Sequence, residues 1–181
     1  MPATKNLRDE HKMILLVMDA CEREAKRIEE TGDINTGKID KMVDFFKGFI
    51  DRCHHTKEEK HLFPTMQKMD IPSVDSPISV MLEEHGTGRS IASSIANLLI
   101  AVKKGDKAVI DLVKDAMQIY VQLLRAHIGK EDNILYPMYE QATTTEVDKN
   151  LEGAFEIVER DEMGEGTHEK YHQLAHELAV G

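Results

Sequence analysis

Two short segments of this chain each place a histidine four residues before a glutamate. His54 precedes Glu58 in the first segment, and His127 precedes Glu131 in the second. Residues four apart on a helix lie one turn apart on the same face, so each pair would direct two ligands toward one point. Imidazole and carboxylate without thiolate suit iron, zinc or manganese. The spacing therefore predicts a metal site built from two helices.

The two segments match over their whole length. Each ends in a leucine, an aromatic residue and a proline, and the proline follows the histidine by ten residues in both (His54 to Pro64, His127 to Pro137). This alignment pairs His54 with His127 and Glu58 with Glu131. His55 and the glutamate at position 59 are then out of register, so neither is assigned as a matched ligand.

A further histidine precedes each segment and directly follows two acidic residues. His11 lies 43 residues before His54, and His85 lies 42 residues before His127. Each half of the chain thus supplies two histidines and one glutamate from a pair of helices. We predict an approximate duplication that brings six side chains together as metal ligands: His11, His54, Glu58, His85, His127 and Glu131.

All six residues fall within apolar stripes of predicted helices. One buried histidine is usually a core residue with a hydrogen-bond partner, and one buried glutamate usually pairs with a basic residue. Two carboxylates that converge in one core are very costly unless positive charge compensates them. Four histidines and two glutamates divide most simply between two metals. We predict two non-haem iron ions, bridged by the carboxylates and by an oxo or hydroxo group.

Apolar residues at three- and four-residue steps predict four long helices, followed by shorter ones. The fold class is therefore all-α: an up-down-up-down four-helix bundle with one or two short extra C-terminal helices. We predict a bundle over residues 1–142 and a helical extension over 143–181 that packs on it. The predicted helices cover about residues 5–31, 37–69, 75–104, 107–141, 146–162 and 167–180.

Three local features of these helices give further expectations. Pro64 lies inside the second helix, where we expect a kink or a break. The buried face of the third helix should include Leu82 and Ile91. Gly86 and Gly88 lower helix propensity beside His85, which we attribute to close packing rather than to room for a small molecule.

Composition excludes several classes of function. The 181 residues carry a net charge of −10, which argues against nonspecific binding to nucleic acid or to anionic membranes. Residues 1–10 are polar and resemble no signal peptide, and no apolar run is long enough to cross a bilayer. Cys21 and Cys53 form no disulfide framework. We expect buried thiols in a cytoplasmic protein, with Cys53 acting beside the metal as the alternative.

The motifs His-His-x-x-Glu-Glu-x-x-Leu-Phe-Pro and His-x-x-x-Glu-x-x-x-Leu-Tyr-Pro give this chain a specific resemblance. Over about residues 7–140 it resembles the hemerythrin-like proteins of the HHE cation-binding family. The resemblance implies a non-haem di-iron centre, held by the same six ligands, that binds or reacts with O2, peroxide or NO. Oxygen binding, sensing and scavenging of peroxide or NO all fit, and azide would be a further anionic ligand. Peroxidase-like or NO-scavenging turnover stays open, as does the oligomeric state.

One departure from the oxygen-carrying hemerythrins is clear. Those proteins have two histidines one turn apart on the third helix, whereas Arg89 and Met81 occupy the positions four after and four before His85. We expect Arg89 to point outward, with an inward, anion-holding side chain as the alternative. The ligand set is closer to the family that repairs iron–sulfur clusters under oxidative or nitrosative stress, although residues 1–10 lack that family's cysteine pair. Iron storage, iron donation or cluster repair is therefore the alternative function, and a zinc-bound structural bundle is the third.

Five other histidines lie near these helices or in the C-terminal extension. His55 and His61 are candidates for a further ligand or for a role just behind the ligands. His168, His172 and His176 follow one another at four-residue steps on the last predicted helix, and we expect them at the surface or behind the ligands.

Overall fold

The structure is a computed structural model that describes residues 1–69, 71 and 76–180, and this part of the chain contains helices and no β-strand. The all-α prediction is confirmed. The α-helices are α1 (Pro2–Thr31), α2 (Thr36–Phe45), α3 (Phe63–Lys68), α4 (Pro77–Lys103), α5 (Ile110–Lys130), α6 (Tyr136–Ala142), α7 (Thr145–Ile157) and α8 (Thr167–Val180). Between them lie π-helical segments Phe46–His55, Glu58–Leu62, Glu131–Leu135 and Val158–Glu162, and a short 3-10 turn at Lys107–Val109.

The helix ends follow ordinary capping chemistry. Gly32 stops α1 in the left-handed conformation, with φ of 68°, and its N–H donates to the carbonyl of Ile28. The side chain of Asn35 caps α2 by accepting a hydrogen bond from the backbone N–H of Lys38. Pro77 occupies the first turn of α4. The linker predicted before α4 falls largely on residues 70 and 72–75, which lie outside the described residues.

The chain is helical without interruption from 36 to 68, so Pro64 does not break the second long helix. The turn before it is π-helical, and the N–H of Phe63 donates to the carbonyl of Glu58, five residues earlier. Pro64 then lies in the first turn of α3, where a missing N–H is tolerated. The same arrangement precedes Pro137, since Tyr136 donates to Glu131.

The two π-helical turns also shift which residues face the core. A π turn contains an additional residue, so the positions after it rotate relative to a regular α-helix. Leu135 is 1% exposed, whereas Ile134, which regular spacing places inward, is 50% exposed. In the first half Leu62 is likewise buried and His61 is only partly covered. The prediction that Ile134 faces the core is therefore wrong, and of the two residues left open in the first half, Leu62 rather than His61 is the buried one.

The buried face of α4 partly matches the predicted one, since Ile78, His85 and Ile95 are buried. Leu82 is 41% exposed and Ile91 is only partly buried, whereas Met81, Gly88 and Ala92 face the core. Small residues carry little hydrophobic signal, so the pattern did not identify Gly88 and Ala92 as part of this face. A Cβ added to Gly88 would lie 3.7 Å from the Tyr120 ring, an ordinary van der Waals distance, and one added to Gly86 would meet nothing within 4 Å, so close packing does not require either glycine.

Each long helix packs against a neighbour around a shared core. Helix α1 contacts α5, α5 contacts α4, and α4 contacts α2, while α7 and α8 lie against α1 and α8 also contacts α2. Two apolar clusters fill the interior, one containing Ile14 and Phe46 and the other containing Leu7 and Phe63. His11 lies between Leu7 and Ile14 on α1, so a polar layer separates the two clusters. No described helix is long and apolar enough to span a membrane.

Candidate metal centre

The six side chains predicted as ligands meet in the polar layer between the two apolar clusters. All six are buried. Three of the four histidines come from regular α-helix, whereas both glutamates begin π-helical turns. Their positions are His11 on α1, His54 and Glu58 on the second long helix, His85 on α4, His127 on α5, and Glu131 directly after α5.

The four histidines form two facing pairs. The Nε2 atoms of His11 and His54 are 3.1 Å apart, and those of His85 and His127 are also 3.1 Å apart. Two nitrogens that bind one metal at about 2.0–2.1 Å lie roughly 3 Å apart, so each pair has the separation of neighbouring ligands. The structure thus brings together the histidines that the repeat predicts, one pair from each half.

Glu131 connects the two histidine pairs. Its Oε2 lies 3.2 Å from His11 Nε2, and its Oε1 lies 3.0 Å from His127 Nε2. Glu58 is placed less symmetrically, with Oε2 3.6 Å from His54 Nε2 and 3.4 Å from His85 Nε2. One carboxylate therefore reaches both pairs with separate oxygens, while the other presents a single oxygen between them.

Each of these histidines has its other ring nitrogen beside a carboxylate. The Nδ1 contacts are 2.7 Å to Glu59, 2.8 Å to Glu10, 2.9 Å to Glu84 and 3.0 Å to Asp132, for His85, His54, His127 and His11 respectively. A neutral imidazole that donates through Nδ1 carries a lone pair on Nε2. Two such lone pairs facing each other at 3.1 Å repel unless a cation lies between them.

Unpaired carboxylate oxygens give a second sign that a cation fits here. Glu58 Oε2 and both oxygens of Glu131 are buried, and no hydrogen-bond partner for them lies among the residues that the structure describes. Such atoms are rare in folded proteins and costly without compensation. Ligand atoms from His11, His54 and Glu131 lie within 4.8 Å of one another, as do those from Glu58, His85, His127 and Glu131. The donor set fits two metal ions that share Glu131.

In the metal-free protein, protons on the histidines partly compensate the charge of the buried carboxylates. Burial lowers the pKa of His11, but the nearby carboxylates of Asp132 and Glu131 outweigh it and raise that pKa to about 10. Burial also opposes protonation of His85, yet Glu131, Glu58 and Glu59 raise its pKa to about 11. Burial raises the pKa of Glu131, whereas the neighbouring histidines, His127 first, bring it well below its usual value. Metal and protons therefore compete for the same atoms.

Comparison with known proteins agrees with this geometry. The family model described as the hemerythrin HHE cation binding domain matches residues 3–139. The chain belongs to the hemerythrin HHE cation-binding family. Uncharacterized proteins of Mycobacterium bovis and Mycobacterium tuberculosis are similar to it, at 19% identity over 163 residues and 90% of this chain. This HHE chain spans 63% of the length of those relatives. No solved structure matches it significantly.

Behind each orienting carboxylate of this HHE chain lies a basic side chain. Lys57 Nζ is 2.5 Å from Glu10, and Arg89 is 2.5 Å from Glu59. The other two contacts join Arg8 to Asp132 and Lys130 to Glu84. The sequence contains a sign of Glu59 and Asp132, because an acidic residue follows the predicted ligand glutamate in both halves. The alignment of the two halves excluded them as ligands and suggested no other role for them.

Arg89 does not point into the metal centre. Its side chain is 38% exposed and donates to Asp51 at 2.6 Å and to Glu59 at 2.5 Å. The outward expectation is thus only partly right, because Arg89 remains attached to the carboxylate that orients His85.

Tyr136 is a component of the site that the sequence pattern missed. It aligns with Phe63, and their rings stack on His11 and His85 respectively. Only the tyrosine has a hydroxyl, which donates to Glu58 Oε1 at 2.8 Å and lies 3.2 Å from His11 Nε2. Burial raises the pKa of Tyr136 well above its usual value, so the hydroxyl keeps its proton.

The two further candidate histidines have different surroundings. His55 is buried, its ring stacks on His85 with centroids 3.8 Å apart, and it forms a possible ligand group with His85 and His127. Burial lowers the pKa of His55 well below its usual value, and His85 lowers it further. His61 instead lines a surface cavity with Pro64 and belongs to none of the ligand groups found among the described residues.

The C-terminal histidines are not all remote from the centre. His168 Nε2 lies 3.3 Å from Glu10 Oε1, the carboxylate that holds His54, and the tilted ring of His172 packs against that of His168. Cys53 Sγ is 3.7 Å from the same oxygen, and burial raises the pKa of this thiol. Because the Lys57 ammonium already occupies this cluster, a second metal site there is disfavoured. Both cysteines are free and buried.

Proposed function

We propose that this protein is a non-haem di-iron protein that binds or reacts with O2, peroxide or NO. The observation that carries the proposal is Glu131, whose two unpaired, buried oxygens reach one histidine pair each. One carboxylate with a free oxygen for each of two nitrogen pairs suits a centre that holds two metals with imidazole and carboxylate ligands. Membership of a cation-binding family supports the same conclusion.

The proposed ligands divide by histidine pair. His11 and His54 would hold one iron, and His85 and His127 would hold the other, within an up-down-up-down bundle formed by the four long helical stretches. Glu131 would serve both irons. Glu58 would contribute Oε2, because its Oε1 accepts the hydrogen bond from Tyr136. His55 is available beside the second pair as a further donor.

Bound iron would supply redox chemistry and open coordination positions for a small molecule. The protein's own residues control the surroundings of those coordination positions. Apolar clusters on both sides of the polar layer exclude bulk water. Carboxylates hold each imidazole in one tautomer and orientation. The Tyr136 hydroxyl, 3.2 Å from His11 Nε2, places a proton donor beside the first pair.

Elemental analysis tests the metal assignment. Protein purified from iron-replete cells should contain about two irons per chain, and zinc alone would contradict the proposal. The reduced protein is then mixed rapidly with O2, peroxide or NO while the visible spectrum is followed. Fast spectral changes with any of the three support binding or reaction. If the visible spectrum changes with none of the three and the iron transfers readily to a chelator, iron storage, iron donation or cluster repair is favoured instead.

A further inference from the structure

A cavity of about 360 Å3 opens beside the metal centre. It lies between the π-helical segment Phe46–His55 and α4, and Tyr120 of α5 closes one side. His55 forms part of its wall next to the stacked ring of His85. Gly88 leaves its α4 wall without a side chain at that position. The cavity is therefore large enough for a small molecule and reaches the polar layer.

The cavity is positively charged although the whole chain is acidic. Lys47, Arg52 and Arg89 line it together with a single carboxylate, that of Asp51. Asp51 is held by Arg89 at 2.6 Å. Within the described residues, Lys47 and Arg52 have no carboxylate within ion-pairing distance, and Arg52 donates only to the carbonyl of Glu162. Two basic residues of the cavity lining thus have no carboxylate partner among the described residues, and the Arg52 guanidinium is held by a backbone carbonyl outside the lining.

His55 supplies an unfilled hydrogen-bonding position in the same wall. The other four histidines of the centre each have a carboxylate within 3.0 Å of Nδ1. His55 is 4% exposed, and within the described part of the chain its Nδ1 has no hydrogen-bond partner. The nearest carboxylate oxygen, on Asp51, is 3.6 Å away and pairs with Arg89. At this ring, therefore, no hydrogen-bonded acceptor among the described residues fills the position that a carboxylate occupies at the other four rings.

We propose that this cavity binds a small carboxylate-type oxyanion. One oxygen of the anion accepts a hydrogen bond from His55 Nδ1–H. Lys47 and Arg52 supply the net positive charge, because the charges of Asp51 and Arg89 cancel each other. The rings of Phe46 and Tyr120, whose centroids are 4.4 Å apart, form an apolar wall suited to a short carbon chain. The site needs no bound metal, and its occupant lies against the ring that stacks on His85.

Acetate is the probe, and neutral acetamide of the same shape is its control. Each is titrated into metal-free and zinc-loaded protein while the His55 ring resonances are followed by NMR. Acetate should bind saturably to both forms and shift those resonances, and acetamide should not. The double variant Lys47→Gln/Arg52→Gln should weaken acetate binding at least about tenfold, since two charges are removed from a partly enclosed site.

A matched variant removes charge elsewhere. Lys26→Gln alters a lysine that is 73% exposed on α1 and should leave acetate affinity unchanged. Equal binding of acetate and acetamide would overturn the proposal, as would unchanged acetate affinity in the double variant. Acetate binding that appears only with metal and survives the double variant would also overturn it. Iron content is measured separately, so failure of this site and failure of the di-iron proposal give different results.

Discussion

At the scale of single residues, two glutamates near His85 illustrate how surroundings separate a ligand from a supporting group. Glu131 is fully buried with both oxygens unpaired. Glu59 is partly exposed, and one oxygen contacts both His85 and Arg89. Glu131 therefore has free oxygens for metal, whereas Glu59 is already engaged.

Replacement of each glutamate by glutamine tests this difference. Glu131→Gln should abolish binding of the second metal equivalent, because the bridging charge is lost. Glu59→Gln should retain both equivalents and weaken affinity by about 10–100-fold, the usual cost of losing an orienting partner. Metal titration monitored by calorimetry distinguishes the two outcomes. Equal losses in both variants would contradict the division between bridge and support.

Tyr136 has a useful comparator three residues later in α6. Tyr139 is equally buried, but its hydroxyl donates to Asp148 at 3.2 Å, away from the metal centre. Each tyrosine-to-phenylalanine change should destabilise the fold by about 1 kcal/mol through a lost hydrogen bond. Only Tyr136→Phe should also change the visible spectrum of the iron-loaded protein, because it frees Glu58 Oε1. Identical spectra for both variants would show that Tyr136 has a structural role alone.

The six proposed ligand positions could be read from the sequence because a repeat marks them twice. The orienting carboxylates could not, since each acts across helices. Glu10 adjoins His11 in sequence but contacts His54, and Glu84 adjoins His85 but contacts His127. Such pairings depend on which helices pack together, and the spacing of residues along one helix carries no information about that. The role of Tyr136 could not be predicted for another reason, because its hydroxyl belongs to the site only through its hydrogen bond to Glu58 on a different helix.

At the scale of helices, the π-helical turns at Glu58–Leu62 and Glu131–Leu135 are the main difference from the predicted pattern. Apolar spacing located the long helices but assumed a regular α-helical period throughout. Each π turn begins at a proposed ligand and ends just before an aromatic residue and a proline. The prolines fit because the widened turn already departs from α-helical hydrogen bonding.

This explanation predicts that Pro64→Ala changes stability little. A proline inside a regular helix costs about 3 kcal/mol, so its removal from such a position would stabilise the protein strongly. Because Pro64 follows a π turn, we expect a change below about 1 kcal/mol in the free energy of unfolding by urea. Ser90→Pro, at an exposed position inside α4, should destabilise by about 3 kcal/mol or more. A large gain from Pro64→Ala would mean that the proline strains the helix.

At the scale of the whole molecule, a buried lysine joins the C-terminal helical segments to the metal centre. Lys57 Nζ contacts Glu10 and Glu159 at 2.5 Å each and Asn6 at 2.9 Å. Glu10 in turn holds His54. The sequence predicted a C-terminal extension, but nothing in the spacing indicated that one buried cation would connect residue 159 to the ligand-bearing helices.

Lys57 and Lys60 offer a matched test of this connection, because both pair with a glutamate of the segment Val158–Glu162. Lys57 is fully buried, whereas Lys60 is 57% exposed in its pair with Glu162. Lys57→Met should destabilise the protein by about 3–5 kcal/mol, since it removes the buried ammonium that compensates the charge of Glu10 in the interior. Lys60→Met should cost less than about 1 kcal/mol. Both values come from urea unfolding of the metal-free protein.

The double variant Lys57→Met/Glu10→Gln separates the loss of charge compensation from other effects of the substitution. Removal of both charges should restore much of the stability lost in Lys57→Met, because replacing a buried pair by neutral groups is often close to neutral. Metal affinity should nevertheless stay low in the double variant, since a glutamine at position 10 cannot hold the His54 imidazole as a carboxylate does. Recovery of stability without recovery of metal affinity would place Glu10 in both the packing of the C-terminal segment and the orientation of His54. Recovery of both would confine the Lys57–Glu10 pair to packing alone.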